Sequence, residues 1–370
     1  MNNFKKVALV TNEKEIWNKY KFLKNKIDIY EFEKEIYKKF DLSFSYDDNN
    51  FFQADCNLNF LKKLEIEGIK NQFVFDLYEN FDNEIDYLIF FGLNNIKKSE
   101  INLIKSTKKK ILYIGEPRAV DQISYDNKFH KYFDIIFSND YSLVDNKKFF
   151  FSHGIHIVCK ENKFILRNKK KKLICSFLSN RFNSGHLSTS VKKKNFIKIF
   201  SKNIPNDFDF YGLHWEIPII YKSNIFYKIL NKILFYIYKF KFYKNKIQSY
   251  KGSCEDKVKT CSAYKFELVM ENSLAPYRNT DRIISTFFSG SVPLYYGPDT
   301  IYELIPSDCF VNVQKFNSID DLINFLKKMD MNTYNQYLKS IEKFLNSENF
   351  FYFTADKTIK DFITELKKFN

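Results

Sequence analysis

Between Tyr264 and Val313 the chain passes from an apolar run into a polar loop, an apolar helical run, a second apolar run and a Gly-Pro turn. Strand, loop, helix and strand follow one another within residues 264–298. Two strands joined through a helix lie parallel in one sheet, so this segment commits the chain to an α/β architecture. The loop carries Glu271, Asn272, Ser273, Tyr277, Arg278, Asn279, Thr280, Asp281 and Arg282. A charged loop at the carboxyl end of a parallel strand and the start of a helix is where open α/β sheets bind ligands.

Other short apolar runs repeat the pattern. Val7–Val10, Phe73–Phe75, Tyr87–Phe91, Ile111–Ile114 and Phe133–Ser138 read as strands in the first half. Leu173–Phe177, Phe208–Gly212, Phe266–Met270, Val292–Tyr296 and Cys309–Val313 read as strands in the second. Their alternation with helical stretches predicts open parallel sheets covered on both faces. The basic run Arg167–Lys172 separates the two series. It predicts a domain at 1–166, a second at 172–345 and a helical segment at 346–370. Ile319–Met329 reads as an amphipathic helix with Asp320 and Asp321 in its first turn, where they suit the helix dipole.

With 370 residues and 45% hydrophobic content, the composition is that of a globular protein with room for two domains. The abundance of Lys, Asn, Ile, Phe and Tyr fits an AT-rich, bacterial genome. The net charge of +15 favours anionic partners. Lysines are spread along the chain rather than gathered on a nucleic-acid module, so no nucleic-acid partner is expected. Arginine is scarce: Arg118, Arg167, Arg181, Arg278 and Arg282 are the five. A chain that uses lysine for plain charge marks with arginine the places that need a planar fork for phosphate or carboxylate. The six cysteines form no CxxC pair, which predicts reduced thiols and no zinc site. The apolar run near the start is too short for a signal-peptide core, and no stretch is long enough to span a membrane. A cytoplasmic protein is expected.

One segment breaks the alternation. Residues 218–251, an insertion in the second domain at 218–250, contain no acidic residue. On a helix Lys228, Lys232, Lys239 and Lys246 fall within about 40° of one another among Ile and Phe side chains. Two readings stand: an interfacial helix on an anionic membrane through 222–246, which would place the protein on the inner face of the plasma membrane, or a helix packed on its own domain.

The spacing YKF-x4-EN-x8-DR-x7-G-x-VP-x3-G, carried by Tyr264, Lys265, Phe266, Glu271, Asn272, Asp281, Arg282, Gly290, Val292, Pro293 and Gly297, resembles the donor-binding signature of the α-1,3/4-fucosyltransferases, glycosyltransferase family 10. Asp281–Arg282 stands where the family usually has Glu-Lys. Lys257 precedes the motif and Tyr211–Gly212 resembles a tyrosine-glycine turn of the family. Tyr113–Pro117 resembles the strand end carrying its proposed general base, here Glu116. The resemblance implies a GT-B fold: two Rossmann-like α/β domains facing across a cleft, with terminal helices. It implies an inverting transfer of fucose from GDP-fucose to a glycan hydroxyl, in lipopolysaccharide or capsule synthesis. Glu116 would be the base. Arg282, helped by Lys265 or Lys257, would face the leaving GDP. Tyr211, Glu271, Asn272, Tyr277, Thr280 and Asp281 would complete the donor pocket. With cations in that role, no obligatory metal or cofactor is expected. The alternatives are another nucleotide sugar on the same fold, or a non-catalytic basic protein of the membrane surface.

Overall fold

Strands buried on both faces need unbroken apolar runs, and those runs build two parallel sheets. The computed structural model describes residues 6–10, 46–47, 51–52, 71–73, 85–93, 104–105, 109–118, 121–152, 158–159, 170–183, 185, 187–222, 224–240, 247–254, 256–277 and 282–368. The chain divides into two compact units. One is Met1–Phe40 with Gln53–Val158 and Phe351–Asn370, the other Asp41–Phe52 with Cys159–Phe350.

The first unit holds β1 (Lys6–Val10), β2 (Asn71–Phe73), β3 (Ile85–Phe91), β4 (Lys109–Ile114), β5 (Ile135–Ser138) and β6 (Phe149–Phe151). They lie in the order β2-β1-β3-β4-β5-β6, every pair parallel. Leu88, Phe90, Leu112, Ile114 and Ile136 meet Tyr125 and Phe133 in its core. Phe133, expected inside a strand, precedes β5 and packs edge-on against Phe90 at 5.3 Å. The strand β6 escapes the sequence reading because Phe149–Phe151 is too short to show a period.

In the second unit, β7 (Lys172–Phe177), β8 (Phe208–Tyr211), β9 (Tyr264–Met270), β10 (Val292–Tyr296) and β11 (Val311–Asn312) take the order β8-β7-β9-β10-β11, again all parallel. The order reverses between β7 and β9. Such a switch point is the usual ligand position in a doubly wound sheet. The helices are α1 (Ser190–Asn203), α2 (Ile225–Phe240), α3 (Lys257–Cys261), α4 (Arg282–Phe288), α5 (Ile319–Lys328) and α6 (Met331–Leu345). Ser318 caps α5, accepting from the Asp321 amide at 3.0 Å, with Asp320 and Asp321 in the first turn as the sequence predicts.

The boundaries differ from expectation, and Asp41–Phe52 of the expected first domain falls in the second unit. The change of unit falls between Val158 and Cys159, ahead of the basic run at 167–172. The described end of that run, residues 170–172, is not a linker, because its lysines are anchored in the second unit. Lys170 Nζ donates to the Ser262 carbonyl at 3.0 Å and to Ser291 Oγ at 3.3 Å, and burial lowers its pKa to about 8. Lys172 pairs with Asp209 at 2.8 Å. The segment read as a separate helical end at 346–370 is divided between the units at Phe350. Its helix α7 (Ala355–Lys368) belongs to the first, where Phe362 packs on Phe137 at 5.1 Å between ring centroids.

Candidate functional site

At the switch point of the second unit two loops are zipped together. After β9, the Glu271 amide donates to the Tyr296 carbonyl at 2.9 Å, and the Glu271 carbonyl accepts from the Thr189 hydroxyl. Ser188 and Ser273 form an isolated antiparallel bridge, and the Leu274 amide donates to the Leu187 carbonyl at 3.0 Å. These bonds fix the loop after β7, and with it the first turn of α1, against the end of β9.

Three polar side chains then converge. Lys193 Nζ, one turn into α1, donates to Asn272 Oδ1 at 2.6 Å. Arg282, which opens α4, donates through Nη1 to the Met270 carbonyl at 2.8 Å and to the same Asn272 Oδ1 at 3.5 Å. Two cations thus share one neutral amide oxygen, beside the fully buried Glu271. Burial, then the Arg282 guanidinium, holds the Lys193 ammonium well below the ordinary lysine value, and the Glu271 charge opposes this only in part. Like charges held together in a partly desolvated place repel one another, and an incoming anion would relieve both the repulsion and the lost hydration.

Gly297 closes the floor. A Cβ there would stand 2.3 Å from the Tyr295 hydroxyl and 2.8 Å from Glu271 Cγ, so the last glycine of the motif makes room for the buried carboxylate. Gly212, in the tyrosine-glycine turn, is required for a similar reason: its φ is +141°, and a Cβ would meet the Leu178 carbonyl oxygen at 2.2 Å.

Of the residues expected at the donor site, Glu271, Asn272 and Arg282 come together here. Thr280 and Asp281 lie outside the described residues. Lys257 supports the group from beneath. Its Nζ pairs with buried Glu267 at 3.1 Å and donates to Ser285 Oγ at 2.6 Å and to the Arg282 carbonyl at 3.5 Å, which holds the start of α4. Tyr277 takes a left-handed φ of +58°; its amide donates to Thr300 Oγ1 and its hydroxyl to Glu303 Oε2, both at 2.7 Å.

Lys265 is placed otherwise than expected, and Tyr211 ends β8 beside the last residue of β7. Lys265 sits near the amino end of β9, five residues before Met270, which is about 16 Å along a strand. Its ammonium lies 5.9 Å from the Tyr334 ring centroid. Strand geometry separates it from Arg282, so it does not join the cationic pair. Tyr211 stacks on Phe177 at 5.1 Å, and its hydroxyl meets that of Tyr264 at 3.0 Å. Tyr264 in turn donates to Asp209 Oδ2 at 2.7 Å. Burial pushes the Tyr264 phenol well above its ordinary value, so it remains a hydroxyl. Two members of the YKF triplet therefore tie the sheet together: Tyr264 through Asp209, and Phe266 against Tyr334 at 5.6 Å.

Lys193 is the residue that the sequence reading missed. The signal was present: Phe196, Ile197 and Phe200 mark the buried face of a helix, and Lys193 lies one turn before Ile197 on that face.

In the first unit, Glu116 stands exposed in the bend after β4. Its loop is rigidly supported. Buried Tyr125 donates to the Glu116 carbonyl at 3.2 Å, and the Arg118 guanidinium lies 5.1 Å from the Tyr125 ring centroid. Asp121 donates its amide to the Pro117 carbonyl at 2.9 Å. The Asp121 carboxylate accepts from Ser124 Oγ at 2.5 Å and the Leu93 amide at 3.2 Å. The described residues of the loops after β3 and β4 are thus pinned to one buried carboxylate. Among the described residues no cluster of three or more His, Cys, Asp or Glu could hold a metal ion.

Solved structures of similar fold define the class first. The crystal structure of alpha1,3-fucosyltransferase with GDP superposes with a TM-score of 0.54 at 14% identity, over 98% of this chain and 90% of that one. The structure of Anabaena Alr3699/HepE in complex with UDP and glucose gives 0.50 at 10% identity, over 98% and 100%. The fold is that of the GT-B glycosyltransferases. The family follows from sequence: "Glycosyltransferase family 10 (fucosyltransferase) C-term" matches residues 167–357, more than half of the chain, and the protein belongs to that family. The mouse 4-galactosyl-N-acetylglucosaminide 3-alpha-L-fucosyltransferase 9 is 38% identical over 77 residues, which are 20% of this chain and 21% of that protein. The Alpha-(1,4)-fucosyltransferase of Arabidopsis thaliana is 31% identical over 78 residues, 20% of each. The chain thus matches about a fifth of the length of these curated relatives.

Proposed function

We propose that the protein transfers fucose from GDP-fucose to a glycan hydroxyl with inversion at the anomeric carbon. The observation that carries this reading is the convergence of Lys193 and Arg282 on Asn272 Oδ1, at the point where the strand order reverses and within the family segment. The Glu116 carboxylate takes the proton of the acceptor hydroxyl. That oxygen forms a bond to the anomeric carbon from the face opposite the nucleotide. The bond from carbon to diphosphate oxygen breaks, and GDP leaves with the electron pair. Charge grows on the diphosphate as the bond lengthens, and the two fixed cations stabilise it there. Asn272 orients both cations, Lys257 holds the Arg282 backbone, and Asp281 and Thr280 complete the ribose and sugar contacts. Protein cations take the place a metal would hold.

The acceptor we assign is a bacterial cell-surface glycan, of lipopolysaccharide or capsule type, met in the cytoplasm. The named mouse relative makes a galactosyl-N-acetylglucosaminide a sensible first acceptor to assay. GDP release is measured from GDP-fucose with a panel of such glycans, with UDP-glucose as a competing donor. GDP should raise the melting temperature, and Glu116→Gln should lower the rate by about 10²- to 10⁴-fold while leaving that GDP shift intact. Turnover of UDP-glucose in preference to GDP-fucose would replace the donor. No release from any donor, with no shift by GDP, would sink the enzyme reading.

A further inference from the structure

The helix α2 has two apolar faces, and only one of them is covered. Tyr227, Leu230, Asn231, Leu234, Phe235 and Tyr238 are half-buried toward the second unit. Asn231 locks that face: its Oδ1 accepts from the Ile220 amide at 2.8 Å and its Nδ2 donates to the Ile220 carbonyl at 2.9 Å. The His214 and Phe235 rings meet edge-on at 5.3 Å. Segment 217–222 is itself held by Asn180, whose Nδ2 donates to the Ile217 carbonyl at 2.9 Å and whose Oδ1 accepts from Tyr221 at 2.7 Å. The helix is therefore a fixed part of its unit.

The other face carries Ile225, Phe226, Ile229, Ile233, Tyr236 and Ile237, each between 45% and 76% exposed. At 100° per residue they form a stripe about 120° wide, with exposed Lys228 and Lys232 along one edge. A large apolar stripe held open on a rigid helix marks an interaction surface. Charge selects the partner. Residues 217–254 contain eight lysines and no acidic residue. Two copies of this helix laid face to face would bring like charges together, whereas an anionic lipid surface complements them while its acyl boundary takes the isoleucines. The described part of the helix, 16 residues, is about 24 Å long, and no described helix is long and apolar enough to cross a bilayer.

We propose that this face of α2 docks the protein on an anionic membrane, with Ile225, Phe226, Ile229, Ile233, Tyr236 and Ile237 sunk among the lipids and Lys228 and Lys232 at the headgroups. The surface is independent of the donor chemistry, and its test uses neither donor nor acceptor. The full chain is sedimented with vesicles of phosphatidylcholine alone or mixed with phosphatidylglycerol. Binding to the anionic vesicles is expected to exceed that to the neutral ones at least tenfold and to weaken with salt. Ile229→Glu with Ile233→Glu should lower it at least tenfold at an unchanged melting temperature, since both positions are exposed. Lys228→Glu with Lys232→Glu should lower it for anionic vesicles alone. No binding by the wild type, or unchanged binding by the isoleucine variant, overturns the proposal. A wild-type dimer that this variant turns into a monomer, without vesicle binding, assigns the face to a second copy instead.

Discussion

The two ends of the second unit's sheet are both rich in charge, and they handle it in opposite ways. At the amino end, Asp209 sits between Lys172 at 2.8 Å and Lys251 at 3.4 Å and accepts from Tyr264 at 2.7 Å. Burial would raise this carboxyl, yet the Lys172 and Tyr264 bonds and the neighbouring lysines hold it below its usual value. Opposite charges meet, and the cluster is neutralised from within the protein. At the carboxyl end two like charges, Lys193 and Arg282, converge on one amide oxygen, and the lysine is held below its usual value. A protein keeps such repulsion where a ligand will relieve it, at a cost in stability. One end holds the sheet together; the other is the anion site of the proposed function.

The contrast can be broken in several ways. Arg282→Ala should remove at least about 2 kcal/mol of transition-state stabilisation, some thirtyfold in kcat/KM, with little change in melting temperature. An unaltered rate would take Arg282 out of the site. Asp209→Ala should do the reverse, costing about 2 kcal/mol of stability by stranding Lys172 and Tyr264, with KM for donor unchanged; denaturant midpoints measure this. Gly297→Ala sharpens the boundary between the two, since its Cβ would press on Tyr295 and Glu271. About 1–2 kcal/mol of stability and much of the GDP affinity should go together.

Lys193→Met is the subtlest test. The folded pKa of Lys193 lies below the unfolded value of 10.5, so in that window the unfolded chain binds the proton more tightly. The lysine's contribution therefore makes stability rise with pH between its folded value and 10.5. The methionine variant should lose that slope and melt slightly higher at neutral pH, while binding GDP more weakly. An anion bound to the wild type favours the ammonium, so GDP binding should take up protons, and affinity should fall as pH rises through the lysine's folded value. Calorimetry in buffers of different ionisation enthalpy reads the uptake; none in wild type, or an equal uptake in the variant, would dissociate Lys193 from the anion.

Much of this site was legible in the sequence because its elements are local. Glu271, Asn272 and Arg282 lie within twelve residues, and the strand-loop-helix order around them follows from apolar periodicity. Glu116 was legible as a strand-end carboxylate, though not the scaffold of Tyr125 and Asp121 that fixes its loop. Lys265 misled because adjacency to the motif said nothing about which end of a seven-residue strand it would occupy. The insertion was read as a basic helix with two outcomes left open, and side-chain exposure assigned an open face to one side of it.

By itself, then, the sequence determined the strand and helix order, the parallel sheet and the local polar loop, since these depend on period and turn chemistry along a few neighbouring residues. Only tertiary structure decided that Lys193 reaches Asn272 across 79 residues, that Thr189 closes on Glu271 across 82, and that Tyr264 secures Asp209 across 55. The reason is the parallel topology. Each crossover returns the chain to the same sheet edge after tens of residues, so partners are chosen by strand order and register, which local periodicity does not encode.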